Sequence, residues 1–228
     1  MYTAVPHERQ AGLASGDGQP ETIPAALARA VDGVGDDEAL VDGSTRLSFR
    51  QLASQVDLVA RAIVASGVEK GDRVALWAPN GAEWVITSFA VYAAGAVLVP
   101  LNTRYRGEEA GHVLRTSRAR LLFSVTDLLS TTLVELLADV PGLEGLDETV
   151  VLEGAVPARC LPMAEFKARA TKVRQAEVDR RRAALTADDA SDIIFTSGTT
   201  GRPRVPSWAR RQCRHLPGLV RTGGTPPR

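Results

Sequence analysis

The chain is poor in cysteine, methionine and aromatic residues, with two Cys and two Met in 228 residues and Phe, Trp and Tyr together at 5%. Cys160 and Cys213 stand in unlike surroundings and are too few for a disulfide framework or a cysteine-built metal site. A reducing, cytoplasmic compartment is the expectation. Residues 1–21 hold Glu8 and Asp17 and no apolar run, which excludes a secretory signal and predicts a disordered leader. No run qualifies cleanly as a membrane span. Residues 84–101 reach the about 18 residues that a span requires, but Gly95 and Pro100 interrupt them and Thr87 and Ser88 lie inside, so they read as a helix followed by a strand. There is no internal repeat. At 44% apolar and 24% charged residues, the composition excludes collagen, a coiled coil and a wholly disordered chain, and fits one or two soluble globular domains.

One absence is local. Residues 202–228 contain seven Arg and no Lys, Asp or Glu, whereas residues 1–201 contain 20 basic against 27 acidic side chains. The formal charge of zero is a cancellation between a −7 portion and a +7 tail.

What is present is an alternation of helix and strand patterns. Residues 23–31 have helical spacing, and 38–42 with 45–47 read as a hairpin about Asp42-Gly43. Ser48 with Gln51 forms a capping box that opens a helix, Leu52, Val56, Val59 and Ile63 share one face of it, and Gly67 closes it. Residues 73–77 read as a buried strand, Pro79-Asn80 as a turn, and Asn80 with Glu83 as the start of a helix that Gly95 ends before the strand 96–99. Further on come a helix over 107–116, a strand over 120–124, a helix over 127–138 and a strand over 149–152. Residues 153–190 are less regular, and the charge run Asp179 to Arg182 reads as a solvated helix face because acidic residues flank it. The strand pattern resumes at 192–195. The fold class is α/β, a mainly parallel sheet with helices on both faces.

The last strand runs into Thr196, Ser197, Gly198, Thr199, Thr200, Gly201, Arg202, Pro203 and Arg204. Two glycines permit the backbone to turn its amides inward, hydroxyl residues surround them, and a basic side chain follows. That combination can wrap an anion. It is not the nucleotide-hydrolase P-loop, since Gly198 lacks the required gap to Gly and Lys. An isolated Gly/Ser/Thr cluster after a strand is more often an ordinary turn; the full string in register after an apolar strand is more specific. His112, without a second ligand at proper spacing beyond Glu108 and Glu109, reads as a surface histidine. Trp77 and Trp84 read as core.

Residues 195–204, FTSGTTGRPR, resemble the phosphate-loop signature of the adenylate-forming superfamily, which includes acyl-CoA synthetases, adenylation domains of peptide synthetases and luciferases. Residues 47–52, 67–74, 79–80, 95–97 and 100–105 agree with it in order, so the resemblance covers 22–204, with bacterial fatty-acyl-CoA and steroid-side-chain CoA ligases most similar. It implies that a carboxylic acid, fatty or steroid-derived, is joined to ATP with Mg²⁺ and passed to coenzyme A. It further implies that Thr196, Ser197, Gly198, Thr199, Thr200, Gly201 and Arg204 grip the β- and γ-phosphates. Arg204 stands where the family carries Lys, which exchanges a compact ammonium for a planar fork. No catalytic or metal-ligating residue is assigned. Residues 102–105 match a family segment but read as packing and backbone hydrogen bonding.

After Arg204 the resemblance stops. Five of the 13 prolines follow residue 202, and no segment of the tail, 205–228, keeps a helical or strand period. Arg, Pro, Gly, Trp and Cys without Lys or acid are what a GC-rich gene read out of frame encodes. The expectation is therefore an N-terminal remnant, truncated by a frameshift and inactive alone, in which none of ATP, Mg²⁺ and coenzyme A binds completely. The alternatives are a phosphate-binding pseudo-enzyme or interaction module that pairs with a full-length paralogue, and a tail that binds nucleic acid or a membrane surface; no nucleic-acid role is expected for the folded part.

Overall fold

A computed structural model describes residues 22–128 and 132–195 and the backbone of 210–211. Helix α1, Ile23–Val34, begins where the Thr22 hydroxyl accepts from the Ala25 amide at 3.3 Å, with proline in the first turn. Strands β1, Glu38–Asp42, and β2, Thr45–Ser48, form the expected hairpin, with Gly43 at φ +54° in its two-residue turn. In α2, Phe49–Ala65, both arms of the capping box are made: Gln51 N donates to Ser48 Oγ at 3.3 Å and Ser48 N to Gln51 Oε1 at 2.9 Å. Leu52, Val56, Val59 and Ile63 are all buried.

The main sheet holds β3, Arg73–Trp77, β4, Val97–Pro100, β5, Ala119–Ser124, β6, Glu148–Val151, β7, Leu161–Pro162, and β8, Ala190–Asp192. Their order is β7-β6-β5-β3-β4-β8, all parallel. A two-residue strand, β9 at Arg210–Arg211, adds antiparallel to β8. Helix α3, Ala82–Ala93, carries the chain from β3 to β4, and α4, Gly107–Ser117, carries it back across β3 to β5. Right-handed crossovers running in opposite directions put α3 and α4 on opposite faces. Helices α5, Met163–Ala168, and α6, Gln175–Ala183, join α1 and α3 around α2 on one face, while α4 packs with a 3₁₀ turn, Leu133–Leu137, on the other. The expected covering of both faces is present.

Parallel strands covered on both faces read as continuous apolar runs, and Val74 to Trp77 and Leu121 to Phe123 are fully or nearly fully buried. Phe123 meets Phe166 edge-to-face at 5.1 Å, an arrangement that contributes about 1 kcal/mol beyond burial. The stretch tested as a membrane span is α3 followed by β4, with Gly95 at φ +81° between them. No described helix is long and apolar enough to cross a membrane.

Several expectations change. The helix expected over 127–138 is a five-residue 3₁₀ turn preceded by Thr132 in an extended conformation. Thr132, β-branched and able to hydrogen-bond the local backbone through its hydroxyl, disfavours helix immediately ahead of that turn. Asn80 does not cap α3: Gly81 stands at the cap and the Asp42 carboxylate accepts from Ala82 N at 2.8 Å, so the hairpin supplies the cap from 40 residues away. Residues 153–190 are more ordered than expected, carrying β7, α5 and α6. The charge run on α6 is not a solvated face throughout. Arg180 is exposed, but the Arg181 side chain is 12% exposed and donates to the carbonyls of Val68 and Ala94, while Arg182 pairs with Asp57 on α2. Trp84 is only partly buried, unlike Trp77 at 0% exposure.

Candidate functional site

In an open parallel sheet the crevice for a ligand lies at the carboxyl ends of the strands, where crossovers diverge. Here that place is the end of β3 between its neighbours β4 and β5, since α3 leaves toward one side and α4 returns toward the other. Strand β8 lies beside β4, pairs Asp192 with Leu98, and continues through Ile193, whose amide donates to Leu98 O at 2.9 Å. The chain therefore reaches Phe195 alongside the end of β4. Phe195 is buried, and its ring meets His112 of α4 edge-to-face at 6.5 Å. His112, expected at the surface, is half-buried against Phe195, the last described residue before the loop. The assigned binders Thr196, Ser197, Gly198, Thr199, Thr200, Gly201 and Arg204 lie outside the described residues; the described strand fixes where they start.

Around that edge the supports are mainly turns and neutral hydrogen bonds. Asn102 Oδ1 accepts from the Arg104 amide at 2.9 Å, and Asn102 O accepts from both Trp77 Nε1 and Tyr105 N at 3.0 Å. A single exposed asparagine thus folds the segment after β4 and holds the buried indole, which agrees with the packing role read for 102–105. Ser124 Oγ donates to Trp77 O at 2.9 Å, fixing the ends of β5 and β3 together. Burial first, then the charge of Glu109, pushes the Tyr105 hydroxyl up from its ordinary value and keeps it protonated.

Three linked residues escaped sequence reasoning. Tyr92 Oη donates to Asp192 Oδ1 at 2.7 Å, and Ser191 Oγ donates to Asp192 Oδ2 at 2.6 Å, joining α3 to the strand that leads into the loop. The available signal was a phenol near the end of an otherwise apolar helix and a lone acid opening an apolar strand.

The segment 67–74 sits at the opposite, amino-terminal edge. Asp72 accepts from Glu69 N at 2.9 Å and from Arg120 Nη1 at 2.9 Å, and Arg120 also pairs with Asp147 at 2.7 Å. Burial alone would raise the Asp72 carboxyl, but the Glu69 amide and the guanidinium of Arg120 hold it below its ordinary value. Arg73 donates to the carbonyls of Ser117 and Arg118, capping the end of α4. These charges build the frame.

Among the described residues no group of three or more His, Cys, Asp or Glu could hold a metal ion. The loop sequence, residues 196–204, offers amides, hydroxyls and two guanidinium groups with no carboxylate, the donor set of an anion site.

The described residues form an open, doubly wound parallel sheet of the α/β class, in which ligands bind outside the carboxyl ends of the strands. The chain belongs to the AMP-binding enzyme family, matched over residues 27–205. It is 38% identical over 199 residues to the 3-[(3aS,4S,7aS)-7a-methyl-1,5-dioxo-octahydro-1H-inden-4-yl]propanoyl:CoA ligase of Rhodococcus jostii, covering 85% of this chain and 38% of that protein. It is 36% identical over 168 residues to the long-chain-fatty-acid–CoA ligase FadD15 of Mycobacterium tuberculosis, covering 73% of this chain and 27% of that one. The crystal structure of the anthranilate CoA ligase AuaEII in complex with anthranoyl-AMP superposes with a TM-score of 0.67 at 25% identity, over 82% of this chain and 34% of that chain. The chain thus spans under two fifths of the length of these relatives.

Proposed function

We propose that residues 22–204 are the phosphate-gripping part of an AMP-forming acyl-CoA ligase for a fatty or steroid-derived carboxylic acid. The observation that carries this is the passage of β8 into the carboxyl edge beside β4, with the family match running on through the loop to residue 205. In the reaction a carboxylate oxygen attacks the α-phosphorus of ATP and the bond to pyrophosphate breaks; the thiol of coenzyme A then displaces AMP from the acyl-adenylate. The loop's task is to hold the β- and γ-phosphates. Amides and hydroxyls of residues 196–201 would donate to their oxygens, and Arg204 would supply the positive charge. Mg²⁺ would add charge neutralisation as pyrophosphate leaves.

The chain matches under two fifths of its ligase relatives; for these 228 residues alone the reading is a partial phosphate site without turnover, with pairing to a full-length paralogue as the alternative. Titration of the purified chain with ATP·Mg²⁺ in a calorimeter tests the reading. Saturable heat that Arg204→Ala weakens about tenfold, the loss of one charge-assisted bond, supports it; absence of saturable heat ends it. Pyrophosphate release with octanoate, ATP and coenzyme A is expected to be nil.

The family match stops at 205, and residues 205–228 carry five Arg and no Lys, Asp or Glu. That coincidence supports reading 205–228 as a product of a shifted frame. A gene whose +1 frame after codon 204 is closed would remove this idea.

A further inference from the structure

A second site lies at the edge of the sheet away from the phosphate loop. A recess of about 360 Å³ opens between the last turn of α4 and the segment leading into β6. Leu114, Ala119, Leu143 and Leu146 supply its apolar wall, and Arg115 and Arg118 supply its charge. Small-molecule pockets begin at about this size and combine such a wall with a few placed polar groups.

Three observations single it out. Arg118 is the only described non-glycine residue with positive φ, at +53°, in the helix-terminating position that glycine fills without strain. Its exposed guanidinium has no partner among the described residues, although its carbonyl accepts from Arg73 Nη2 at 3.0 Å. The negative end of the α4 dipole, which would repel an anion there, is covered by that arginine, which also takes the carbonyl of Ser117 at 2.7 Å. Finally, Arg115 is held across the recess by Nη1 donating to Pro141 O at 2.6 Å, and its aliphatic stem presses on Gly142, where an added Cβ would come within 2.9 Å of Cδ. One guanidinium is fixed and the other is free. Of the nearby carboxylates, Asp147 is engaged by Arg120, and Glu144 stands in the same segment outside the lining.

We propose that this recess binds a medium-chain carboxylate, the alkyl chain against the leucines and the carboxylate on Arg118 and Arg115. The site is independent of the phosphate loop and of the ligase reading. The test uses the full 228-residue chain and octanoate, followed by calorimetry, with acetate and octan-1-ol as probes lacking the chain or the charge. Arg118→Gly removes the guanidinium while relieving the left-handed backbone, so its melting temperature is expected to equal or exceed that of the parent. Gly145→Phe fills the mouth at a position where an added Cβ meets nothing within 4 Å. Octanoate binding that saturates in the parent and weakens about tenfold or more in both variants, the loss expected for one charge-assisted bond, with acetate and octanol weaker than octanoate, establishes the site. Equal octanoate affinity in folded Arg118→Gly, or no saturable binding in the parent, overturns it.

Discussion

The two edges of the parallel sheet are held by different physics. At the amino edge charged side chains do the joining: Asp72 to Arg120 to Asp147, Arg73 onto the end of α4, Arg169 to Glu148, and Lys70 to Asp189. At the carboxyl edge Asn102 folds the chain after β4, Trp77 and Ser124 tie strand ends together, and glycine admits a close backbone approach. The difference separates frame from site. An edge locked by interlinked ion pairs positions strands, while the carboxyl edge is held mostly by turns and neutral bonds, with the Asp42 carboxylate on Ala82 N and the Lys167–Glu83 pair as its charged contacts.

The sharpest way to break this contrast is at Gly107, the first residue of α4 on the carboxyl edge. A Cβ there would fall 2.0 Å from the carbonyl oxygen of Leu136, which belongs to backbone and cannot swing aside. Gly107→Ala is expected to lower stability by about 2–3 kcal/mol despite alanine's better helix propensity. Urea unfolding measures it, and a loss under 0.5 kcal/mol, on the order of a neutral surface change, would show that the approach is not tight. Next is Arg120→Ala, which strips Asp72 and Asp147 of their shared partner and frees the Gly67 carbonyl it also binds. The pair is partly exposed, so about 1–2 kcal/mol is expected rather than the full cost of breaking a buried pair. If high salt leaves the difference between parent and variant unchanged, the frame is not electrostatic. Asn102→Ala should cost less, about 0.5–1 kcal/mol, because only the exposed Arg104 amide loses its acceptor while the carbonyl that serves Trp77 remains.

Much of this frame was legible in the sequence, and the parts that were not share a cause. The capping box at Ser48, the apolar face of α2, the strands from 73 and near 97 and 120, and the parallel architecture all follow from local pattern. What could not be read locally depends on distant partners. The cap of α3 comes from Asp42, the burial of Arg181 from the carbonyls of Val68 and Ala94, and the placement of His112 from Phe195. The helix expected over 127–138 differs for the opposite reason: Leu133 and Leu137 are indeed buried, but Thr132 ahead of them is extended and the described residues form one 3₁₀ segment. The candidate site was legible as a motif, because nine residues in order carry more information than any one of them. The tyrosine and aspartate that join α3 to its approach strand lie 100 residues apart and carry no such pattern.

The smallest expected effect tests the comparison through protons. The Asp72 and Asp189 carboxyls both lie below their ordinary values, in each case because burial, which would raise them, is outweighed by bonds to the charged form: from Glu69 N and Arg120 for Asp72, from Lys70 and Thr186 N for Asp189. A folded value below the unfolded one means that the native state holds the proton less tightly. Stability from these groups is therefore complete above the unfolded value of 3.8 and is lost as pH falls through the folded values below it. At the carboxyl edge Asn102 carries no titratable group, so the effect of removing its side chain should not change over the same window. Asp72→Asn should reduce stability by under about 1 kcal/mol near neutral pH, and the gap between parent and variant should close as pH drops below about 3.8. For Asn102→Ala the gap should persist through the acid range. Urea midpoints taken across that range decide the matter, and a gap for Asp72→Asn that stays constant with pH would place the amino edge in the same neutral class as the carboxyl edge.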